Sequence, residues 1–169
     1  LAAIRRYHAD LDAHGGAISR KCKMTLFGSG EAGKSSTLRG MKYGEPRPYG
    51  IDERTVQLDI WTLLLGEVVV SAWDFAGQPQ YAAGQQQYLV AGALYLLLVP
   101  AHKVNDAEYD EVLGRWLDVL QARAPGAIVQ LVISHSDKLE PKPASLEPEA
   151  LAAAAVPTIA WLRGKVAAH

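Results

Sequence analysis

Eight consecutive residues, Gly28-Ser29-Gly30-Glu31-Ala32-Gly33-Lys34-Ser35, restrict this chain more than any other stretch. They satisfy the pattern G-x-x-x-x-G-K-[ST], in which a loop wraps closely around a phosphate group. A polyphosphate packs several negative charges into a small volume, so a protein holds it only if its backbone comes very near. Glycine allows that approach, and successive N–H groups then form an anion nest. A helix beginning at the loop adds its positive N-terminal end. Lys34 is placed to reach β- and γ-phosphates, and the Ser35 hydroxyl to coordinate Mg²⁺. The pattern means this only between a strand and a helix. Residues 23–27, Lys-Met-Thr-Leu-Phe, read as a short buried strand, and residues 35–41 as a helix start.

The remainder of the chain reads as alternating strands and helices. Residues 1–14 place Ala3, Ile4, Tyr7 and Leu11 on one helical face, and Gly15-Gly16 ends the segment. It serves either as a junction to an upstream domain or as a cap on the core. Residues 42–52, with Gly44, Pro46, Pro48 and Gly50, read as a loop. Val56, Leu58 and Ile60 alternate with Gln57, Asp59 and Trp61, which is strand periodicity running toward Leu64. A close turn at Gly66-Glu67 leads to a second strand from Val68 to Trp73, so the pair is expected to be antiparallel. Residues 80–89 are polar and read as irregular or helical, while residues 93–99 are continuously apolar and read as a central strand buried on both faces. Residues 108–123 carry Val112, Trp116, Val119 and Leu120 at helical spacing. Residues 127–133 read as a further buried strand. An Ala-rich helix over 150–155 and a last helix over 158–168, with Ile159, Leu162 and Val166 inward, complete the chain. No internal repeat and no sixth strand are evident.

Two more stretches carry chemistry. Asp74-Phe75-Ala76-Gly77-Gln78 follows a strand, and ligands of open α/β sheets gather at strand ends. Asp74 is suited to partner Mg²⁺, the Gly77 N–H to meet a γ-phosphate, and the Gln78 amide to orient an attacking water. Because the Gly77 contact exists only with the triphosphate, this loop can act as a switch. Asp137, after the strand at 127–133, suits base selection. Guanine presents N1–H and an exocyclic amine side by side, and one carboxylate accepts both.

Composition narrows the field further. The 169 residues are 49% hydrophobic and 21% charged, enough for one domain with a sizeable core. With 17 basic against 18 acidic residues, no basic excess points to nucleic acid or to a membrane surface. Cys22 stands alone, which excludes an internal disulfide, and reads as a small buried hydrophobe. His8, His14, His102 and His169 show no metal-ligand spacing. Trp61, Trp73, Trp116 and Trp161 read as core. No apolar run is long enough to span a bilayer. Leu1-Ala2-Ala3-Ile4-Arg5-Arg6 is not a secretory leader, and the missing initiator Met suggests an excised piece of a larger protein. A reduced, cytoplasmic setting is expected.

Together, Phe27 through Ser35, Trp73-Asp74-Phe75-Ala76-Gly77-Gln78, and Ser134-His135-Ser136-Asp137 resemble the Roc domain, the Ras-like GTPase module of Roco proteins. Residues 93–99 also look like that family's fourth strand. Family members typically read Asp-Phe-Ala-Gly-Gln and Thr-His-x-Asp at the second and third stretches, so the match is close. Glu31 and its neighbours also look like the phosphate loop of heterotrimeric G-protein α subunits, but the rest does not follow them. The resemblance covers about residues 20–140. It implies a three-layer α/β fold of Ras-like P-loop type, mostly parallel with one antiparallel edge strand, that binds Mg²⁺ and GTP or GDP and hydrolyses GTP slowly. The implied nucleotide site comprises Gly28, Gly30, Glu31, Ala32, Gly33, Lys34, Ser35, Ser36, Asp74, Gly77, Ser134, His135 and Asp137. Ser35 and Asp74 would hold the metal, and Gln78 and Lys34 would assist hydrolysis.

The resemblance also implies a multidomain setting. Residues 1–19 would link to an upstream repeat domain, residues 20–169 would form the GTP-binding domain, and dimerisation would occur through a following domain. There are departures. The family's Thr-x-Gly-Ile is Pro48-Tyr49-Gly50-Ile51 here, and proline offers no hydroxyl to Mg²⁺. Thr55 is nearby but is not assigned. No Ser-Ala-Lys-like loop follows Asp137, so the base pocket and the C-terminal end of the domain stand open to being incomplete. His135 occupies a place where Ras-like proteins carry Lys. Arg47 and Arg54 flank the switch region and read as solvated. Three readings remain: a GTPase switch, a scaffold or dimerisation module that binds GTP but hydrolyses it poorly, and an ATP-using P-loop enzyme.

Overall fold

The computed structural model describes residues 20–44, 58–77, 84, 86–90 and 92–169. The expected helix over residues 1–14, the Pro48 region, Arg47, Arg54, Thr55 and Gln78 lie outside the described residues.

Five strands form one sheet: β1 (Lys21–Phe27), β2 (Leu58–Leu65), β3 (Val68–Phe75), β4 (Leu94–Pro100) and β5 (Ile128–Ser134). Their order is β2-β3-β1-β4-β5, and only the β2–β3 pair is antiparallel. The mostly parallel sheet with one antiparallel edge strand is therefore as expected. β1 lies in the middle, and the chain leaves it first toward β3 and later toward β4. That reversal opens a crevice at the carboxyl end of β1, the place where open α/β sheets bind ligands.

Alternation along the strands builds two cores, one on each face. On one face, Met24, Leu26, Leu63, Ala72, Leu96 and Leu98 pack with Leu38 of helix α1 (Lys34–Tyr43). On the other, Phe27, Tyr95, Leu97 and Val99 pack with Trp116 and Leu120 of helix α2 (Arg115–Arg123). Leu162 of the last helix joins this second core. Phe27 stacks between Tyr95 and Trp116, with ring centroids 5.8 and 5.1 Å away. This anchors the end of β1 directly before the glycine loop. β4 is buried on both faces, which explains its unbroken apolar sequence.

Helices α3 (Pro148–Ala154) and α4 (Val156–Ala168) meet at Ala155. Pro157 begins α4 instead of preceding it. It falls in the first turn, where its missing N–H costs nothing.

Several expectations need correction. α1 continues through Lys42 and Tyr43, so the loop after it starts later than its composition suggests. In β2 the inward residue is Leu63, while Ile60 is 57% exposed, because this edge strand has a helix over one face only. β5 is not a buried strand. Ile128 is 70% exposed, and among the described residues no strand pairs beyond β5. Cys22 is half-buried within β1. Val166 faces solvent, and Thr158 is buried in its stead. Trp116 is a core residue, whereas Trp61, Trp73 and Trp161 are only partly covered. Among the described residues no helix is long and apolar enough to cross a membrane.

Candidate functional site

The glycine loop leaves β1 at Gly28 and enters α1 at Gly33, which takes a left-handed conformation as the helix N-cap. Glu31 is also left-handed, with φ 63°. Between them Ala32 is fully buried and its N–H donates to the Ser29 carbonyl over 3.2 Å. The loop is thus packed down onto the sheet and not free to swing.

Lys34 is only 7% exposed, and its Nζ donates to the carbonyls of Gly28 and Ser29, each at 3.0 Å. The amine is therefore folded back across the loop. Burial pushes its pKa down to about 8, opposed by the nearby Asp74 carboxylate and reinforced by the charge of Arg115. A desolvated cation beside carbonyl dipoles is a poor resting arrangement that an incoming polyanion would improve.

Asp74 lies in β3, fully buried, in parallel register beside Leu26 of β1. The Ser35 hydroxyl donates to Asp74 Oδ2. A hydroxyl and a carboxylate held together are the hard oxygen donors that Mg²⁺ takes, with waters and phosphate oxygens completing its shell. Among the described residues there is no cluster of three or more His, Cys, Asp or Glu able to hold a metal unaided.

Gly77 follows β3 and crosses over the lysine. A Cβ added there would lie 2.5 Å from Lys34 Nζ and 2.5 Å from the Ser29 carbonyl oxygen. Only glycine fits, so this backbone touches the phosphate loop itself. Ser29, Gly30 and Gly77 form one wall of a cavity of about 360 Å³, and Asp110, Glu111 and Arg115 form the facing wall.

The third stretch comes in from the opposite side. Ser134 ends β5, His135 is left-handed with φ 52°, and Asp137 sits in the 3₁₀ turn Ser136–Lys138. This loop lies against the phosphate loop: a Cβ on Gly33 would be 3.7 Å from Ser134 Cβ and 3.8 Å from His135 Cε1. Asp137 itself is exposed. His135 packs edge-on to His102 with centroids 5.2 Å apart. Burial, then His102 and Lys138, hold its pKa below the usual imidazole value, while Asp137 and Glu31 act the other way.

All the described residues of the sequence-derived set therefore gather at the carboxyl end of the sheet. Ser35 meets Asp74, Gly77 meets Lys34, and Ser134 and His135 flank Gly33, with Asp137 in the turn that follows. Ser36 lies in the first turn of α1, half-buried. Three residues outside the sequence-derived set border this region: Ser29 and Arg115 line the cavity, and His102 packs on His135.

A family profile described as "Ras of Complex, Roc, domain of DAPkinase" matches residues 23–137. The chain is similar to mouse leucine-rich repeat serine/threonine-protein kinase 1, 28% identical over 135 residues, 73% of this chain and 7% of that protein. It is 30% identical over 130 residues to the Ras-related protein RABA4b of Arabidopsis thaliana, 74% of this chain and 55% of that one. Human malignant fibrous histiocytoma-amplified sequence 1 is 25% identical over 150 residues, covering 79% and 14%. The chain thus spans about half of the plant relative and a small fraction of the two larger ones.

Proposed function

The chain belongs to the Roc family of Ras-like GTPase domains, and from that premise we propose that it is a guanine-nucleotide switch that binds Mg²⁺·GTP and hydrolyses it slowly to GDP. The observation that carries this reading is the contact of Gly77 with Lys34 and the Ser29 carbonyl. A peptide pressed onto the phosphate loop is placed to register whether a terminal phosphate is present. Ser35 and Asp74 would hold Mg²⁺, which when bound neutralises charge on the β- and γ-phosphate oxygens. Lys34 would exchange its two carbonyl partners for phosphate oxygens. Gly28, Gly30, Glu31, Ala32, Gly33 and Ser36 would line the phosphates with backbone N–H groups and the helix end. Ser134, His135 and Asp137 would take the base, and Gln78 would orient water.

The setting we propose is a regulatory module within a larger cytoplasmic protein. Two relatives of which this chain matches only 7% and 14% support that, as does the leucine-rich repeat named in one of them. Residues 1–19 would join an upstream repeat domain, and a following domain would mediate dimerisation. Pro48 in place of the family's Thr supports a second reading, a scaffold that holds GTP with little hydrolysis. Competition of GTP and ATP for the chain, with and without Mg²⁺, tests the central claim. GTP should win, and Mg²⁺ should tighten it; preference for ATP would overturn the reading. Single-turnover hydrolysis then separates switch from scaffold, since a Gln78→Ala change should slow the former and leave the latter as it was.

A further inference from the structure

We propose that Arg115, projecting from the helix after β4, is a built-in ligand for the terminal phosphate of the triphosphate, completing in cis the positive surface begun by Lys34. The inference rests on the guanine-nucleotide reading and adds to it a residue outside every motif of the sequence.

Position comes first. Arg115 shares one cavity of about 360 Å³ with Ser29, Gly30 and Gly77. Of these, Ser29 and Gly77 lie beside the Lys34 amine, and that amine is the group that reaches β- and γ-phosphates. The open space between Gly30, Gly77 and Arg115 is therefore where a terminal phosphate would lie.

The side chain is also uncommitted. Arg115 is partly buried, yet among the described residues its guanidinium makes no ion pair or hydrogen bond, and Nε is buried without a partner. Its guanidinium lies over the Trp116 ring, 4.8 Å from the ring centre, a cation–π contact that orients the fork without giving it a hydrogen-bond acceptor. A buried donor without an acceptor is costly, and charged donors most of all. On the facing wall Ser29, 1% exposed, has an Oγ equally without a partner among the described residues. The Ser29 Oγ and the Arg115 Nε are thus both buried polar atoms without a partner among the described residues, in residues that border the same space. Of the acidic residues there, Glu111 is engaged by Lys103 at 3.0 Å, which leaves Asp110 beside Arg115.

Local backbone structure explains how Arg115 comes to face inward. The turn before α2, Asp110–Gly114, is π-helical, and the Arg115 N–H donates to the Asp110 carbonyl. In an α-helix positions five apart diverge by about 140°. The wider π turn stacks them instead, so Asp110, Glu111 and Arg115 line one wall while Trp116 still enters the core. Gly114 permits the turn: a Cβ there would meet Asp110 Oδ1 and Tyr109 Cε1, each at 2.8 Å. π turns inside helices recur at functional sites. The charge of Arg115 is also felt at Lys34, in keeping with both addressing one anion.

The test compares Arg115→Gln and Arg115→Lys with the unaltered 169-residue chain. Affinities for GDP and for a non-hydrolysable GTP analogue are measured with Mg²⁺ by calorimetry, and GTP hydrolysis in a single turnover. The glutamine variant should bind GDP within about twofold of the unaltered chain but lose about tenfold or more for the analogue, as expected for a charge-assisted contact to one phosphate. Hydrolysis should slow by about 100-fold or more, toward the range of supplied arginines. The lysine variant should recover part of the analogue affinity. An unchanged ratio of analogue to GDP affinity overturns the inference, as does an equal loss of both nucleotides. If the glutamine variant does not fold, the lysine variant decides: a lowered ratio supports the inference and an unchanged one overturns it. Failure of the unaltered chain to bind either nucleotide would remove the guanine-nucleotide reading and this inference together. Normal binding with an unaltered ratio removes this inference alone.

Discussion

The two halves of the site are built to different standards. On the phosphate side, Asp74 is fully buried in a strand with neighbours on either side, and Lys34, 7% exposed, opens helix α1. On the base side, Asp137 is exposed in a 3₁₀ turn that follows an edge strand whose Ile128 is 70% exposed. The first half is held by the core, and the second leans on the loop through Gly33. Affinity should therefore be concentrated where the triphosphate binds. Choice of base should rest on fewer contacts in a wetter setting, where each charged contact is worth less.

The largest effect expected from this contrast is at Lys34. Lys34→Met keeps the length of the side chain and removes the charge. Nucleotide affinity should fall by about 100-fold or more, since a buried charged contact is lost. The nucleotide-free chain should nevertheless melt at the same or a higher temperature. Burial pushes the amine pKa down to about 8, so folding disfavours the charge and gains when it is gone. Calorimetry and thermal melts in the absence and presence of GDP check both parts. A loss of affinity accompanied by a large loss of nucleotide-free stability would mean that Lys34 is structural, and the contrast between the halves would fail.

The same contrast governs what could be read from residues alone. The phosphate side was legible because its chemistry is contiguous: the loop, its strand and its helix follow one another in sequence, and Asp74-Phe75-Ala76-Gly77 ends a strand of clear pattern. The antiparallel edge pair was legible from the Gly66-Glu67 turn. The base side was less so. The apolar run over residues 127–133 looks like that of β4, yet among the described residues β4 has neighbours on both sides and β5 has one. Apolar sequence reports that a strand can be buried, while its place in the sheet depends on what pairs beside it. In β2 the period was visible but the covered face was not, because Leu63 and Ile60 differ only in which side a helix occupies. Arg115 was hidden for a more local reason. Helical spacing assumes 3.6 residues per turn, and the π turn at Asp110–Gly114 breaks that assumption within one element. The facing of His102 and His135 comes from two loops separated by a strand and a helix, which no local pattern encodes.

A smaller effect is expected at Asp137. A carboxylate accepts both donors of the guanine edge, whereas an amide accepts one and donates the other. Asp137→Asn should weaken GTP by about 10- to 100-fold, the value of a hydrogen bond to a charged group. It should strengthen XTP, whose base offers a carbonyl where guanine has an amine. Mg²⁺ dependence should stay unchanged, because Ser35 is held by helix α1 and Asp74 by β3, both apart from the turn that carries Asp137. Competition between GTP and XTP reads the exchange. If the variant loses both nucleotides alike, the two halves do not act separately and the comparison is broken.

The smallest effect concerns pH and sharpens the picture of the base side. His135 has its pKa lowered from 6.5, chiefly by partial burial, with His102 and Lys138 adding repulsion and Asp137 and Glu31 opposing it. A lowered value means that the folded state holds the proton less well than the unfolded chain does. Stability is then full above the ordinary imidazole value and declines as pH falls through it toward the lowered one. His135→Gln should remove this part of the decline, shifting the melting temperature near pH 5.5 by on the order of a degree relative to the unaltered chain. The effect is small because the ring is only partly buried and solvent screens its neighbours. Replacing His102 by Gln should give a fraction of the same shift, since it removes one repulsive partner and leaves the burial in place. A pH dependence of stability between 5.5 and 7 that is identical in all three chains would show that these imidazoles are fully solvated, and the base side would then be looser still than its packing against Gly33 indicates.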